Sequence, residues 1–312
     1  MSAKNFAMVF PGQGSQSIGM LGKLAGEHGE VVETFAEASD VLGYDLWGLV
    51  SNGPAETLNQ TARTQPAMLV AGVAVWRLWR ARGGAMPRLM AGHSLGEYGA
   101  LVCAGAIGFT DAVTLVAERG RFMQEAVPEG SGAMAAVLGL EDDKVREVCA
   151  EAARGEVIAA VNFNAPGQVV IAGTRGAVER GCELARSAGA KRALPLPVSV
   201  PSHCALMKPA AERLAERLAG IVISTPSVPV LHNVTVEAAD PTTIRERLTA
   251  QLYSPVRWVE TVRAMAAAGA SLLLEVGPGK VLAGLTKRID RDLESLGVYD
   301  PETLAAALEG TK

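Results

Sequence analysis

The stretch Leu89-Met90-Ala91-Gly92-His93-Ser94-Leu95-Gly96 joins a short apolar run to a helical pattern through a tight turn. Residues 89–91 predict a strand, and residues 95–104 predict a helix. A serine between two glycines at such a turn is typical of a nucleophile elbow, because small residues on either side let the backbone fold sharply. A serine also caps a helix well, so a structural role for Ser94 stays open on this pattern alone.

Short apolar runs alternate with helical patterns on both sides of this turn, and the alternation indicates an α/β protein. Further strands are predicted at residues 6–10, 228–231 and 272–276, and helices at residues 31–42, 65–82, 110–127, 210–218, 242–252 and 259–268. We therefore expect a large α/β-hydrolase-like domain with a mostly parallel sheet.

The middle of the chain follows a different order. The predicted elements are a strand at 133–138, a helix at 141–153, strands at 157–163 and 168–172, a helix at 177–188 and a strand at 192–196. This βαββαβ order is that of a split βαβ unit. We expect a small ferredoxin-like domain of residues 129–198, inserted in a large catalytic domain of residues 1–128 and 199–312, with proline- and glycine-containing hinges at 128–132 and 195–201.

Composition excludes several classes of protein. The 312 residues are 49% hydrophobic and carry 29 Lys and Arg against 33 Asp and Glu, a net charge of −4 without long runs of one sign. A nucleic-acid or polybasic membrane surface is therefore disfavoured. Residues 1–10 fit neither a signal peptide nor an anchor, and segment 67–79 is too short to span a bilayer. With four cysteines at no metal-ligand spacing, we expect a cytoplasmic protein that needs no metal or cofactor.

A serine nucleophile needs a base, and the chain has four histidines. His28 lies in a polar stretch, and His93 is expected to point away from Ser94 because side chains alternate along a strand. His203 lies in a constrained loop that follows the predicted insertion, where site residues are often displayed. His232 ends a predicted strand and could be a core histidine, so position favours His203 without excluding His232.

Arg119 is the most informative single residue in the helical patterns. At about 100° per residue it falls in the middle of the apolar arc of the helix at 110–127. An inward arginine is costly unless an anion or several hydrogen bonds satisfy its guanidinium, and no acid shares that face. Two interpretations remain: a structural arginine bonded to groups elsewhere, or a bidentate clamp for a substrate carboxylate.

The loop Gly12-Gln13-Gly14 follows the first predicted strand. It does not complete a dinucleotide-binding fingerprint, because Ser17 stands where the third glycine belongs. Its backbone amides could stabilise an oxyanion, although a simple tight turn is the commoner use of such loops.

Six motifs occur in a fixed order along the chain: Phe10-Pro11-Gly12-Gln13-Gly14-Ser15-Gln16, Gly92-His93-Ser94-Leu95-Gly96-Glu97-Tyr98, Arg119-Gly120-Arg121-Phe122-Met123-Gln124, Val198-Ser199-Val200-Pro201-Ser202-His203, Gln251-Leu252-Tyr253-Ser254-Pro255-Val256 and Gly277-Pro278-Gly279. Together they closely resemble the malonyl-CoA:acyl carrier protein transacylases of bacterial type II fatty-acid synthesis. The resemblance covers essentially the whole chain. It implies transfer of a malonyl group from malonyl-CoA to the phosphopantetheine thiol of acyl carrier protein, with Ser94 as nucleophile, His203 as its base and Arg119 as the carboxylate clamp.

The same resemblance assigns the supporting groups. The main-chain amides of Gln13 and Leu95 would form the oxyanion hole. The main-chain carbonyl of Gln251, instead of an aspartate, would orient the base, and Asn162 and Gln251 would shape the pocket.

Acyl carrier proteins of this type are acidic, so docking is expected to use basic residues. The candidates are Lys191 with Arg192, and Lys287 with Arg288. Other functions stay open at this point: a stand-alone acyltransferase for polyketide synthesis, the malonyl-transfer subunit of a decarboxylase, a serine thioesterase or esterase, or a carrier-docking module without catalysis.

Overall fold

A computed structural model describes residues 5–198 and 200–312 of the chain. Residues 1–4 and Ser199, where the second part of the large domain was predicted to begin, lie outside the described residues. The strands are β1 Phe6–Phe10, β2 Leu89–Gly92, β3 Gly132–Leu138, β4 Ile158–Ala165, β5 Gln168–Thr174, β6 Arg192–Pro195, β7 Val230–Leu231, β8 Leu272–Val276 and β9 Glu294–Val298. The helices are α1 Gly22–Glu27, α2 Gly29–Leu42, α3 Leu46–Asn52, α4 Ala55–Leu58, α5 Thr61–Ala81, α6 Gly96–Cys103, α7 Phe109–Glu125, α8 Asp142–Ala153, α9 Arg175–Ser187, α10 Lys208–Ala219, α11 Pro241–Gln251, α12 Trp258–Ala267, α13 Val281–Ile289 and α14 Pro301–Gly310.

The larger sheet is parallel throughout, in the order β7-β2-β1-β8-β9. Every residue of the central strand β1 is buried, and successive side chains alternate between its two faces. Met8 and Phe10 join a core with α2, α5 and α7, whereas Ala7 and Val9 join a second core with α12 and α13. Helices thus cover both faces, as a parallel sheet requires, and the predicted α/β fold with a mostly parallel sheet is confirmed.

The smaller sheet is antiparallel, in the order β4-β5-β3-β6, and its elements follow one another as β-α-β-β-α-β. One face packs with α8 and α9 around a core of its own. The other face presents Met134, Val170 and neighbouring residues to Cys204 in the loop that returns to the large sheet. Strand β4 is also tied to that side of the molecule, because the N–H of Phe163 donates to the carbonyl of Val256 at 3.0 Å.

Several elements were not predicted from the sequence. Strand β9 lies at the sheet edge and contains Glu294, Ser295 and Gly297, so it does not form an apolar run. Helices α1, α3 and α4 are short, and α13 and α14 at the end of the chain were also not predicted. Helix α5 begins at Thr61, four residues before its predicted start, with Pro66 in its first turns.

Within the described ranges, no helix combines the length and the apolar character needed to cross a membrane. The four cysteines are buried and unpaired.

Candidate active site

The turn between β2 and α6 has the geometry of a nucleophile elbow. Ser94 has a φ of 52°, a left-handed conformation that is costly for a residue other than glycine. A Cβ atom on Gly92 would overlap the backbone of Gly96, and one on Gly96 would overlap the carbonyl oxygen of Phe10. Both glycines are therefore required by close backbone approach, as the motif predicts.

His203 is the histidine that meets this serine. Its Nε2 lies 2.8 Å from Ser94 Oγ, and its Nδ1 lies 2.8 Å from the main-chain carbonyl oxygen of Gln251. A carbonyl only accepts, so Nδ1 carries the proton and Nε2 is left to accept from the serine hydroxyl. Burial, and then the nearby Arg119 cation, lowers the pKa of His203 to about 3, so the imidazole is neutral near pH 7 and can act as a base.

The other histidines have different partners. His93 follows the end of β2, so strand alternation does not fix its direction; it lines the same cavity as Ser94 but bonds Asn164 Oδ1 through Nε2 at 2.8 Å. His232 is fully buried with Nδ1 2.6 Å from Glu97, in keeping with the core-histidine interpretation. His28 contacts Arg82 instead.

A cavity of about 180 Å³ opens in front of the serine, between the elbow and the second face of the smaller sheet. Its lining includes the predicted site residues Gln13, Ser94, Leu95, Arg119, Asn162 and His203. Its apolar lining is Met123, Met134, Val170, Leu196, Val198 and Val200. The fold therefore brings into one site residues that are distant in sequence and come from both sheets.

Arg119 is 1% exposed, on the inward face of α7 as predicted. Its Nη1 donates to Gln65 Oε1 at 2.8 Å and its Nη2 to Gln251 Oε1 at 3.1 Å. Nε has no partner among the described residues, and no described carboxylate lies within ion-pair distance. The guanidinium stacks over Tyr98 at 5.4 Å, and burial lowers the pKa of Arg119. A buried cation whose hydrogen-bond partners are neutral amides keeps its capacity to bind an anion.

Three further polar groups at the cavity have no hydrogen-bond partner among the described residues. Asn162 is 7% exposed, and its Oδ1 accepts no hydrogen bond within the described ranges. The main-chain amides of Gln13 and Leu95 likewise donate to no described group, and both residues border the cavity beside Ser94.

Three residues of the site were not predicted. Gln65 holds Arg119, Asn233 Oδ1 accepts from the Ser94 amide at 2.7 Å, and Glu97 is completely buried behind the elbow. A signal for Glu97 was present, because it is the single acid in the otherwise uncharged pattern of α6. Asn233 carried no comparable signal, since an asparagine after a strand is ordinary turn chemistry.

A family model described as an acyl transferase domain matches residues 7–306. The malonyl CoA-acyl carrier protein transacylase of Salmonella typhimurium is 61% identical over 304 residues, covering 97% of this chain and 98% of the relative. The chain belongs to the malonyl-CoA:acyl carrier protein transacylase family.

Solved transacylase structures share the whole fold. One, an acyl carrier protein S-malonyltransferase from Vibrio cholerae, is 60% identical with a TM-score of 0.95, covering 97% of this chain and 99% of that one. Another is a malonyl-transacylase in complex with a holo type II polyketide synthase acyl-carrier protein; it is 58% identical with a TM-score of 0.97, covering 98% and 99% of the two chains. The transacylase fold thus extends over nearly the full length.

Proposed function

We propose that the protein transfers the malonyl group of malonyl-CoA to the phosphopantetheine thiol of acyl carrier protein in fatty-acid synthesis, through a malonyl ester on Ser94. The observation that carries the proposal is the 2.8 Å contact between Ser94 Oγ and His203 Nε2, in a cavity that also contains the buried guanidinium of Arg119. Family membership fixes the reaction class, and this geometry supports the proposed roles of the residues.

In the first half-reaction, His203 Nε2 takes the proton of Ser94 as the serine oxygen attacks the thioester carbonyl of malonyl-CoA. The main-chain carbonyl of Gln251 holds the protonated ring in place through Nδ1–H. The amides of Gln13 and Leu95 stabilise the tetrahedral oxyanion. When that intermediate collapses, the C–S bond breaks, the imidazolium returns its proton to the sulfur, and CoA leaves as a thiol.

The second half-reaction runs the same chemistry with another acceptor. His203 takes the proton of the phosphopantetheine thiol, the thiolate attacks the malonyl-Ser94 ester, and the proton returns to the serine oxygen as the C–O bond breaks. The product is malonyl-acyl carrier protein with the enzyme restored. The reaction uses no cofactor, and malonyl-CoA is a substrate.

Arg119 gives the malonyl group its advantage over neutral acyl groups. Its guanidinium is buried and lacks a carboxylate partner, so a bound acetyl group would leave the charge without an anion in a dry site. Asn162 lines the cavity and would shape the pocket directly. Gln251 is fully buried and does not line the cavity, so it would shape the pocket through its hydrogen bond to Arg119.

The domain division is part of the proposal. Residues 129–198 would be an inserted ferredoxin-like domain, and residues 1–128 and 199–312 a large α/β-hydrolase-like domain. Support comes from the separate core under α8 and α9 and from the antiparallel order β4-β5-β3-β6. The smaller sheet supplies Asn162, Met134 and Val170 to the lining of the cavity.

Two basic pairs are proposed to dock the acidic carrier protein. Lys191 and Arg192 are exposed at the start of β6, and Lys287 and Arg288 are exposed in the last turn of α13. Arg288 donates to Gln168, and the β-ladders place both Gln168 and Arg192 opposite the same residue of β3. The two pairs therefore lie near one end of the smaller sheet.

Charge reversal of both pairs to glutamate tests this patch. Transfer from malonyl-enzyme to carrier protein should fall about tenfold at low salt and lose most of its salt dependence, because steering by complementary charge is screened by ions. Transfer to free pantetheine should be unchanged. Reversal of the exposed pair Lys144 and Arg146 on α8 is the matched control. Unaltered rates and salt dependence in the patch variant would exclude the patch.

The main experiment traps the acyl-enzyme. Incubation with radiolabelled malonyl-CoA should place label on the protein, and a Ser94→Ala variant should take up none. Carrier protein should then remove the label as malonyl-acyl carrier protein much faster than water removes it as malonate. Rapid release to water would instead identify a thioesterase or esterase, and absence of label from the unaltered enzyme would exclude the covalent route.

A second candidate function is supply of malonyl groups to polyketide synthesis. It is favoured by the 58% identity to a malonyl-transacylase solved with a type II polyketide synthase carrier protein. Comparing kcat/KM for carrier proteins of the two pathways decides between them.

We place the reaction in the cytoplasm, where fatty-acid synthesis of this type would use its product.

A further inference from the structure

Glu97 is a fully buried carboxylate in the first turn of α6, three residues after Ser94. One oxygen lies 2.6 Å from His232 Nδ1. The other accepts from the main-chain N–H of Asn233 and from Nε2 of Gln251, both at 2.9 Å. Burying a carboxylate is costly unless several hydrogen bonds satisfy it, and three are present here.

Two of the groups bonded to this carboxylate reach the reacting serine. Asn233 accepts from the Ser94 amide at 2.7 Å through Oδ1 and donates to the carbonyl of Gly92 at 2.6 Å through Nδ2. Its side chain thus clamps the backbone on both sides of the strained turn. Gln251 Nε2 also donates to the Ser94 carbonyl at 3.1 Å.

The side chain of Gln251 joins this cluster to the arginine. Arg119 offers only donors, so it needs the amide oxygen, and an ionised Glu97 offers only acceptors, so it needs the amide nitrogen. Only one orientation of the Gln251 amide satisfies both neighbours. That orientation is the one observed, with Oε1 on Arg119 and Nε2 on Glu97.

We propose that Glu97 is a positioning residue that acts through two arms, holding the nucleophile turn through Asn233 and the carboxylate clamp through Gln251. The inference rests on the proposed function, since it concerns how malonyl is favoured at the same site. It makes one carboxylate responsible both for the geometry of acyl transfer and for the choice of acyl group.

Glu97→Gln is the informative substitution. His232 Nε2 has no partner within the described ranges, so the proton can shift from Nδ1 to Nε2 and let Nδ1 accept from the new amide. The variant can therefore fold while losing the negative charge that strengthens the hydrogen bond from Gln251. The ratio of malonyl to acetyl loading on Ser94 should fall about fivefold to tenfold, because charge-assisted hydrogen bonds are about twice as strong as neutral ones.

A matched control is available in Glu275, another carboxylate with no exposure, which accepts from the Ala283 N–H at 2.8 Å away from the cavity. Glu275→Gln should alter the melting temperature without altering the loading ratio. If it lowers the ratio as much as Glu97→Gln does, a general loss of stability explains the effect and the proposal fails.

Variants of the two arms separate their contributions. Asn233→Ala should slow malonyl and acetyl loading by equal factors, whereas Gln251→Ala, which keeps the main-chain carbonyl for His203, should lower the ratio. Adding Glu97→Gln to Gln251→Ala should lower the ratio no further. An unchanged ratio in Glu97→Gln, or a double variant whose loss is the product of the two single losses, would overturn the proposal.

These outcomes are distinct from failure of the proposed function, because they are measured only where the unaltered enzyme forms malonyl-Ser94. If Glu97→Gln does not fold, the contrast between Asn233→Ala and Gln251→Ala still decides. Equal effects of those two variants on the ratio would contradict the two-arm arrangement.

Discussion

The two ends of the acyl cavity are built differently. At the nucleophile end, Ser94 and His203 are held mainly by backbone: a left-handed turn between two glycines and a main-chain carbonyl on Nδ1. At the clamp end, Arg119 is held by side-chain amides from two other helices. Backbone geometry is encoded by short local motifs, whereas the clamp exists only after α5, α7 and α11 have packed together. In the proposed function, the first end performs acyl transfer and the second selects the acyl group.

The largest effect should come from a change at the nucleophile end, and it should not depend on the identity of the acyl group. Ser94→Ala should lower loading from both malonyl-CoA and acetyl-CoA by about 10⁴-fold or more, because both need the same covalent step. Rapid-quench measurement of acyl-enzyme gives the rates. Ser202→Ala, which removes another hydroxyl from the cavity lining, is the control. A Ser94→Ala variant that loses malonyl loading but keeps acetyl loading would contradict the different roles of the two ends.

Arg119→Ala should act selectively. Malonyl loading should fall about 10²- to 10³-fold, as expected when one partner of a buried ion pair is removed, and acetyl loading should change less than tenfold. Arg119→Lys should recover only part of the loss, because a single ammonium cannot form the bidentate fork. The measurement is kcat/KM with each acyl-CoA. Equal losses for the two substrates would refute the clamp.

Gln65→Leu should give a smaller effect of the same kind. Loss of the 2.8 Å hydrogen bond from Nη1 leaves the guanidinium of Arg119 less firmly positioned for the malonyl carboxylate. The KM for malonyl-CoA should therefore rise about tenfold, while acetyl loading stays the same. Gln124→Ala is the matched control, since Gln124 joins the same two helices by accepting from the Ala62 N–H without touching Arg119. If the control raises KM equally, helix packing and not the clamp is responsible.

The smallest expected change concerns pH. Because the pKa of His203 is lowered to about 3, the neutral base form prevails above that value, and acidification from pH 8 to pH 5 should leave kcat/KM for malonyl loading nearly constant. An unshifted pKa near 6.5 would instead reduce loading about tenfold at pH 5.5. Stopped-flow loading across this range distinguishes the cases, and an inflection near 6.5 would show that the base is more hydrated than its burial indicates.

Sequence reasoning predicted several strands and the inward position of Arg119 for identifiable reasons. The strand Phe6–Phe10 and the strand Leu272–Val276 were predicted at their observed bounds, because both are dominated by apolar residues in the interior of a parallel sheet, with Glu275 as the one charged position. Arg119 was noticed because a charge on an apolar helix face violates a strong pattern. Strand β9 was missed because an edge strand need not be apolar on both faces.

The roles of the residues that support Ser94 and Arg119 could not be predicted by the same reasoning. Gln65 and Asn233 are ordinary polar residues in their local contexts, and their roles arise from partners 54 and 139 positions away in the chain. Glu97 was visible as an acid in an apolar helix, but its donors come from the region after β7 and from the end of α11.

The amino-acid sequence by itself determined the alternation of strands and helices, the sharp turn at Ser94 and the inward position of Arg119, because each depends on local periodicity or local backbone sterics. The tertiary structure alone decided which histidine meets the serine, which amides hold the arginine and which carboxylate lies behind them. Those contacts join residues far apart in the chain, and the free energy that orders them comes from packing the helices and both sheets around the cavity.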